Sequence, residues 1–383
     1  MYLNSKIEKE CCGCKACLDI CPKKCISMIE NEEGFLYPKV DQSKCIKCNL
    51  CKRVCPNECA ESELKKANEG YAGICKKQEV VSSSSSGGAF SAICKSAFIE
   101  GYLVYGVKWD EDYCVCHDMA KTYEDSKKFR KSKYIMSDMN HCYNQIAKQL
   151  KGNNRVLFSG TPCQCAAIIR YMKCKNISTD KLLLVDIVCH GAPSQKIFDK
   201  YLDEIGKSNI KSYSFRHKSD KGKIDTRTAQ LLYKDGTEDI LNIHNDAFLK
   251  GYYGRLFYRI SCGSCKFARI ERISDITLGD AWHIENVYPK WDSEKGVSMI
   301  LINTEKGKNI FEKCKKYMDL ESIEIKWAEQ ANQQLRKPTQ MHPGRDKFFK
   351  LYKDIGVRKS VNKAMHNSLW KKIYNRIKNV MSV

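Results

Sequence analysis

Two cysteine runs near the start of the chain have the spacing of metal ligands. The sequence contains Cys11-x2-Cys14-x2-Cys17-x3-Cys21-Pro22, and the spacing recurs in Cys45-x2-Cys48-x2-Cys51-x3-Cys55-Pro56. Three cysteines in one tight loop can wrap three irons of a [4Fe–4S] cube, and a fourth before proline begins a short helix. Zinc ribbons instead use paired Cys-x2-Cys units. The two runs therefore predict two iron–sulfur clusters.

The doubled run resembles that of bacterial two-cluster ferredoxins, in which the fourth cysteine of each run binds the other cluster. The resemblance implies one cluster held by Cys11, Cys14, Cys17 and Cys55, and another held by Cys45, Cys48, Cys51 and Cys21. Cys12, Cys25 and Cys59 are then spare. Cys12 could compete with Cys11, but its spacing to Cys14 is one residue short. We predict a two-cluster ferredoxin domain at residues 1–60.

Four later cysteines could hold a third cluster. Cys262 and Cys265 form a Cys-x2-Cys pair, Cys163 follows the predicted strand "RVLF", and Cys189 ends the predicted strand "LLLVDIV". Functional groups of open α/β sheets gather beyond the carboxyl ends of the strands, which would bring these thiols together. We predict a third [4Fe–4S] cluster. Structural zinc and ordinary buried cysteines remain alternatives.

The elements that must position these cysteines follow an α/β pattern. Buried strands alternate with helices from residue 86 to residue 330, and an antiparallel insert begins near residue 210. Residues 61–85 are serine-rich at their end and predict a linker. The fold class is therefore an α+β ferredoxin-like module fused to an α/β domain with an antiparallel insert, followed by a basic helical tail at residues 331–383.

Composition narrows the class of protein. The chain has 383 residues, 23 cysteines and a formal net charge of +21. No apolar run approaches the roughly 20 residues of a membrane-spanning helix, and the polar start lacks a signal peptide, so we expect a cytoplasmic protein. A basic surface suits an acidic redox partner, a phosphorylated ligand, an anionic membrane or nucleic acid. No recognisable nucleic-acid-binding motif accompanies the charge, which disfavours the last.

Several strings occur in an order that resembles the beta subunit family of coenzyme F420-reducing hydrogenases and dehydrogenases, to which the 7-hydroxymethyl chlorophyll a reductases are related. They are "SSSGGAFSAI", "SKYIMSD", "FSGTPCQ", "DIVCHGAPS", "SFRHK", "SCGSCKF", "SDITLGDAW" and "GVSMILINT". The resemblance covers residues 1 to about 315. It implies an iron–sulfur flavoprotein whose domain cluster, at Cys163, Cys189, Cys262 and Cys265, lies near FAD.

The resemblance also implies where FAD binds. The matching residues lie in glycine-rich and strand-end loops and are Ser86, Gly87, Gly88, Lys133, Tyr134, Ser137, Gly160, Thr161, Pro162 and Gln164. A Gly-Gly turn that opens a helix presents backbone N–H groups suited to phosphate. The sequence departs from the family pattern at His283, His217, Cys165 and Ala167, which puts the substrate in doubt more than the fold.

Candidate acid–base residues are His190, Lys133 and His283, and a histidine, which titrates near neutrality, could pass the proton that accompanies hydride. The alternative for each is a hydrogen-bonded structural residue. Arg216 and Lys218 could hold an anionic ligand or only be solvated. We expect a reductase of an organic substrate or deazaflavin that takes electrons from a redox partner such as a ferredoxin or a hydrogenase or dehydrogenase subunit. The alternative is an electron-transfer subunit with no organic substrate of its own.

The end of the chain has a basic amphipathic pattern. Leu369, Ile373, Ile377 and Val380 share one helical face beside Trp370, among lysines and arginines. Such a helix could lie at a membrane surface or dock a partner. The alternative is a helix packed on its own domain.

Overall fold

This computed structural model describes residues 1–218 and 227–366. The described α-helices are α1 (Tyr2–Ser5), α2 (Ala16–Ile20), α3 (Leu50–Arg53), α4 (Gln78–Ser82), α5 (Ala89–Ile99), α6 (Cys142–Lys151), α7 (Pro162–Cys174), α8 (Gln195–Glu204), α9 (Ala247–Tyr253), α10 (Glu305–Cys314), α11 (Ile325–Ala331) and α12 (Arg345–Met365). The described strands are β1 (Ile26–Glu30), β2 (Leu36–Val40), β3 (Glu69–Cys75), β4 (Tyr102–Trp109), β5 (Val115–Ala120), β6 (Arg155–Gly160), β7 (Leu182–Ile187), β8 (Ile210–Phe215), β9 (Thr228–Tyr233), β10 (Glu238–Asn242), β11 (Ile276–Asp280), β12 (Ser298–Ile302) and β13 (Met318–Ser322).

Eight strands form one mixed sheet in the order β13-β3-β12-β11-β7-β6-β4-β5. The four strands β4, β6, β7 and β11 run parallel, and antiparallel neighbours extend the sheet on both sides. Side chains of the central strands alternate between the two faces: Leu183 and Val185 pack with α5 and α10, whereas Leu182 and Leu184 pack with α6 and α7. Helices on both faces of a largely parallel centre confirm the α/β class.

The predicted linker, residues 61–85, contains a strand of this sheet. Strand β3 pairs with β12 and β13. Its glycines permit close approach, because a Cβ atom on Gly70 would lie 2.9 Å from the carbonyl oxygen of Ile323, and one on Gly73 would lie 2.5 Å from Leu320. Glycine and alanine hide the apolar alternation by which a strand is recognised in sequence. The segment is therefore fixed in the domain and does not act as a tether.

The predicted antiparallel insert is confirmed as a three-stranded sheet in the order β10-β9-β8. It shares a buried aromatic cluster with α8, α9 and α12, including Phe215 and Phe248. Helix α12 buries Phe348 and Tyr352 in that cluster. The first part of the predicted basic tail is thus an integral domain helix, kinked at Gly356, where φ is +79°. The predicted amphipathic helix around Trp370 lies outside the described residues.

The N-terminal cysteine-rich segment packs directly on the sheet domain. Strands β1 and β2 pair as an antiparallel hairpin. Ala16, Ile20 and Val54 are buried in the same cluster as the side chains of α6 and α7. Lys15 forms an ion pair with Asp138 at 2.5 Å. Among the described residues, no helix is both long enough and apolar enough to cross a membrane.

Candidate metal centres and the adjoining cavity

The parallel strands β6 and β7 place two cysteines at one edge of the sheet. Their register pairs Gly160 with Asp186, so the chain leaves both strands at the same level. After β6, Thr161 caps α7 with its N–H and hydroxyl donating to Gln164 Oε1 at 2.9 and 3.0 Å. This cap fixes Cys163 in the first turn of α7, and Thr161 Oγ1 lies 3.2 Å from Cys163 Sγ.

Cys189 and the Cys262–Cys265 pair complete a set of four thiols. Burial raises the pKa of the Cys262 thiol, and the charges of Cys189, Cys265 and Cys163 raise it further. Burial likewise raises the pKa of Cys189 to about 12, with contributions from Cys163 and Cys265. Each of the four thiols therefore lies within electrostatic reach of the others, as the sequence predicted from the strand ends.

Cys55 of the second ferredoxin-like run lies near cysteines of the first run. Burial raises the pKa of the Cys17 thiol, and Cys11 and Cys55 raise it further. At Cys14 a hydrogen bond with Cys12 lowers the pKa, but burial and the charges of Cys55 and Cys17 outweigh that effect. The fourth cysteine of the second run thus lies with the first three cysteines of the first run.

The other crossed set lies further out on the module. Burial raises the pKa of Cys51, and the charges of Cys48 and Cys45 add to it. Cys21 Sγ lies 3.4 Å from Cys25 Sγ, and Cys21 and Cys45 both contribute to raising the pKa of Cys25. Cys25, which the sequence left spare, therefore connects Cys21 with the second run.

Within residues 1–218 and 227–366, no three His, Cys, Asp or Glu side chains converge as the ligands of one metal ion would. A [4Fe–4S] cube binds each thiolate at a different iron and therefore holds its ligands apart.

Cys12 lies between two sets of thiols. They are the first ferredoxin set (Cys11, Cys14, Cys17 and Cys55) and the domain set (Cys163, Cys189, Cys262 and Cys265). The thiols of Cys12 and Cys163 each raise or lower the pKa of the other, and Cys14 raises that of Cys12. Cys11, by contrast, acts on Cys17 and Cys55. This geometry favours Cys11 as the ligand in the first position and leaves Cys12 between the two sets, in agreement with the spacing.

Sequence reasoning missed Arg259, a buried cation beside these thiols. Its exposed fraction is 0%, and its Nε donates to the carbonyl oxygen of Cys11 at 2.6 Å. The guanidinium carbon lies 4.1 Å from the ring centroid of Tyr37. Burial opposes its charge, yet Cys11, Tyr37, Cys12 and Cys262 together raise the pKa of Arg259. An isolated arginine gives no sequence signal, although this one directly precedes "ISCGSCKF".

A buried ion pair holds in place the segments that carry Cys189 and Cys265 of the domain set. Arg272 Nη2 lies 3.1 Å from Asp186 Oδ2, and both side chains are at most 2% exposed. Arg272 also donates to the carbonyl oxygens of Phe267 at 2.9 Å and Ile187 at 3.1 Å. These contacts tie the loop after Cys265 to the end of β7, which precedes Cys189.

A large cavity adjoins both the domain set and the first ferredoxin set. Its volume is about 840 Å³, and it reaches Cys12 and Cys14 as well as all four domain thiols. Most of the predicted flavin and acid–base residues line it, namely Ser86, Gly88, Lys133, Tyr134, Ser137, Gly160, Thr161, Pro162, Gln164 and His190. Pockets of this size and mixed polarity are typical of cofactor sites.

Two predicted site residues are not among the cavity-lining residues. A Cβ on Gly87 would lie 2.3 Å from the carbonyl oxygen of Gly73, so this glycine allows the chain to pack against β3. His283 has a side chain that is 76% exposed, near Glu285, because its left-handed backbone (φ +61°) turns the chain after β11. Its neighbour Trp282 lines the cavity instead.

The two remaining acid–base candidates have different environments. Lys133 Nζ donates to the carbonyl oxygens of Arg130 at 2.7 Å and of Lys128 and Lys131 at 3.3 Å. Burial and the Lys131 charge lower the pKa of Lys133 to about 7. His190 is accessible from the cavity, and burial lowers its pKa to about 4. Its imidazole is therefore neutral at physiological pH.

Arg216 is paired, which answers one question that the sequence left open. Its Nη1 and Nη2 donate to the two carboxylate oxygens of Asp280 at 2.9 and 3.0 Å. Burial opposes the charge, but Asp280 raises the pKa of Arg216. Lys218 donates to backbone carbonyls of Val81 and Ser86. Both cations thus fix the cavity wall.

A serine-rich arm of the cavity leads to the start of α5. Arg130 Nη1 donates to Ser83 Oγ at 2.7 Å and its Nε donates to Ser91 Oγ at 3.1 Å. The Ser132 N–H donates to Ser85 Oγ at 2.8 Å. Ser86 Oγ is buried, and among the described residues it has no hydrogen-bond partner. Hydroxyls, a guanidinium and a helix N-terminus meet here, which is chemistry suited to a phosphate group.

Comparisons with known proteins agree with the sequence patterns. Residues 153–326 match the family described as the C terminus of the beta subunit in coenzyme F420 hydrogenase/dehydrogenase, and residues 38–61 match the family described as "4Fe-4S binding domain". A chain in the solved F420-reducing [NiFe] hydrogenase complex from Methanosarcina barkeri is 18% identical, with a TM-score of 0.48. That alignment covers 80% of this chain and 92% of the other.

Proposed function

Because residues 153–326 belong to the coenzyme F420 hydrogenase/dehydrogenase beta-subunit family and residues 38–61 belong to the 4Fe-4S binding domains, we propose that this iron–sulfur redox protein is a flavoprotein oxidoreductase. It passes electrons between two ferredoxin-type [4Fe–4S] clusters, a third cluster and FAD. The electrons then reach an organic substrate or a deazaflavin-type cofactor.

One observation carries the proposal: a single cavity adjoins two cysteine sets and the predicted flavin loops. It is lined by Cys12 and Cys14 on one side, by the four domain thiols on another, and by the serine-rich arm on a third. A cofactor bound there would lie beside two potential clusters. This arrangement supports electron transfer within one chain.

The residues around the cavity suit FAD. The unpartnered Ser86 hydroxyl and the start of α5 at Gly88 would hold its pyrophosphate. Bound FAD would supply the exchange between one-electron transfer and hydride transfer. The Gln164 amide, which donates to Ser137 Oγ at 2.9 Å, orders the cavity wall. His190, neutral at physiological pH, can accept a proton there, and Lys133 holds residues 128–131 through the carbonyls of Lys128, Arg130 and Lys131.

Anaerobic purification followed by iron, sulfide and flavin analysis tests this function. Three [4Fe–4S] clusters correspond to about twelve irons per chain, and we expect one FAD beside them. About eight irons with FAD would remove the third cluster from the proposal. Three clusters without FAD would favour the alternative of an electron-transfer subunit without its own organic substrate.

A further inference from the structure

We propose that the exposed end of the ferredoxin module is where electrons enter, and that it binds a small acidic ferredoxin. We call this surface the basic end and define it by Lys23, Lys24, Lys39, Lys47, Lys52 and Arg53, which surround the second crossed cysteine set. The inference rests on the proposed function, since the set of Cys21, Cys45, Cys48 and Cys51 must hold a cluster.

The second set lies nearer to solvent than the other two. Cys48 is the one exposed cysteine among the 23 of the chain, and Ile46 beside it is 56% exposed. None of Cys21, Cys45, Cys48 and Cys51 lines the cavity. Cys51 acts electrostatically on Cys17 of the inner ferredoxin set. An electron arriving at this end would therefore have a continuous route inward.

Positive charge is concentrated at this end. All six basic residues are exposed, and none forms an ion pair within the described parts of the chain. Five of them lie within three residues of a cysteine of the second set. Asp41 is the acidic residue at this end, and it pairs with Lys44 at 3.4 Å.

Other carboxylates of the ferredoxin module form ion pairs away from the basic end. Asp19 contacts His141 at 2.9 Å, Glu33 binds Arg345, and Glu30 binds Lys196, so these carboxylates fasten the module to the sheet domain. Glu10 and Glu58 neutralise the N-terminal ammonium group. The distribution leaves a basic, solvent-facing surface around the outermost thiols.

Charge complementarity selects the partner. A basic patch steers an acidic protein toward productive encounter and raises the association rate, most strongly at low ionic strength. The exposed Ile46 supplies apolar contact at the centre of the patch, next to Cys48. A small acidic ferredoxin offers both a complementary charge and a cluster near its surface. Membranes and nucleic acids match the charge but make no use of a cluster at the contact.

The test uses the full chain and a purified bacterial two-cluster ferredoxin of net negative charge. Stopped-flow absorbance gives the second-order rate constant for reduction of the protein by the reduced ferredoxin, at low and high ionic strength. We expect K47E/K52E to lower this constant about tenfold or more at low ionic strength and to flatten its dependence on salt. The matched control, K211E/K234E, changes the net charge equally with exposed lysines of the antiparallel insert and should retain the wild-type constant.

Each outcome has a defined meaning. Iron content and electron uptake from excess dithionite are measured for every variant, so loss of a cluster is distinguished from loss of docking. Intact clusters with equal rates in K47E/K52E and wild type would overturn the docking inference and leave the proposed function standing. An equal loss in both double variants would show a general charge effect and also overturn it. Wild-type protein without the second cluster would refute the proposed function itself.

Discussion

Replacing Cys262 by serine isolates the third cluster from the other two. Cys262 lies in the 3₁₀ segment Ile260–Ser264, where its N–H donates to the carbonyl oxygen of Arg259 at 2.9 Å. Serine preserves the backbone and the volume but removes a soft thiolate ligand. Since this thiol belongs to one set of four, the expected loss is about four irons from about twelve, or one third of the total.

Metal and sulfide analysis of anaerobically purified Cys262→Ser protein measures this loss, and its absorbance on reduction reports the remaining clusters. Cys165→Ala is the matched control, because Cys165 lies two residues from Cys163 but is fully buried in the core on α7. It should keep about twelve irons. Cys12→Ala should keep them as well, because the geometry leaves Cys12 between two sets.

Two results would refute this reasoning. Retention of all iron in Cys262→Ser would show that the four strand-end thiols are not a ligand set. Loss of about four irons in Cys12→Ala would show that Cys12 is a ligand, so that the first ferredoxin set or the domain set is wrongly composed.

Two further predictions concern buried charge and pH. Arg272→Met leaves the Asp186 carboxylate buried without its cation, and we expect the free energy of unfolding in anaerobic urea titrations to fall by about 3–5 kcal/mol. The double variant Arg272→Met/Asp186→Leu should recover most of this lost stability. Equal stability of the single variant and the wild type would contradict the role of the ion pair. His117 is fully buried, and burial lowers its pKa from 6.5 to about 4. The unfolded chain binds this proton below about pH 6.5 and the folded chain only below about pH 4, so stability present above pH 6.5 is lost as the pH falls, by up to about 3 kcal/mol. His117→Phe should flatten the dependence of the urea midpoint on pH between 4 and 6.5, and an unchanged slope would show that other groups cause it.

The strands that the sequence predicted well are those with unbroken apolar runs. Strand β6 contains the whole predicted run "RVLF", and β7 contains "LLLVDIV" except its last residue, because a strand buried on both faces needs apolar side chains throughout. Strand β3 was missed because Gly70 and Gly73, which make room for neighbouring strands, remove that pattern. Helix α12 was predicted as part of a tail because its partners, α8 and α9, are more than 90 residues away in the chain.

The candidate site likewise contains features with a local sequence pattern and features without one. Cysteines carry their ligand chemistry in their type and spacing, so the sequence predicts the crossed sets and the strand-end set, and their ligand roles stay predictions. The pairs Arg272–Asp186 and Arg216–Asp280 join residues 86 and 64 positions apart. No local pattern indicates such pairs, since either member alone resembles a surface charge. His283 was misplaced because a left-handed turn after β11 directs it outward, which residue type alone does not reveal.

Arg259 attaches the ferredoxin module to the sheet domain, so that the two are expected to move together. Its guanidinium donates to the carbonyl oxygens of Cys11 and Leu36 in the ferredoxin module, while its backbone immediately precedes the segment that carries Cys262. Detaching the module would leave a buried cation and two carbonyl oxygens without hydrogen-bond partners. A hinge motion that carries electrons between tethered domains is therefore disfavoured. Transfer between the halves then needs no search step, and its rate should be insensitive to solvent viscosity.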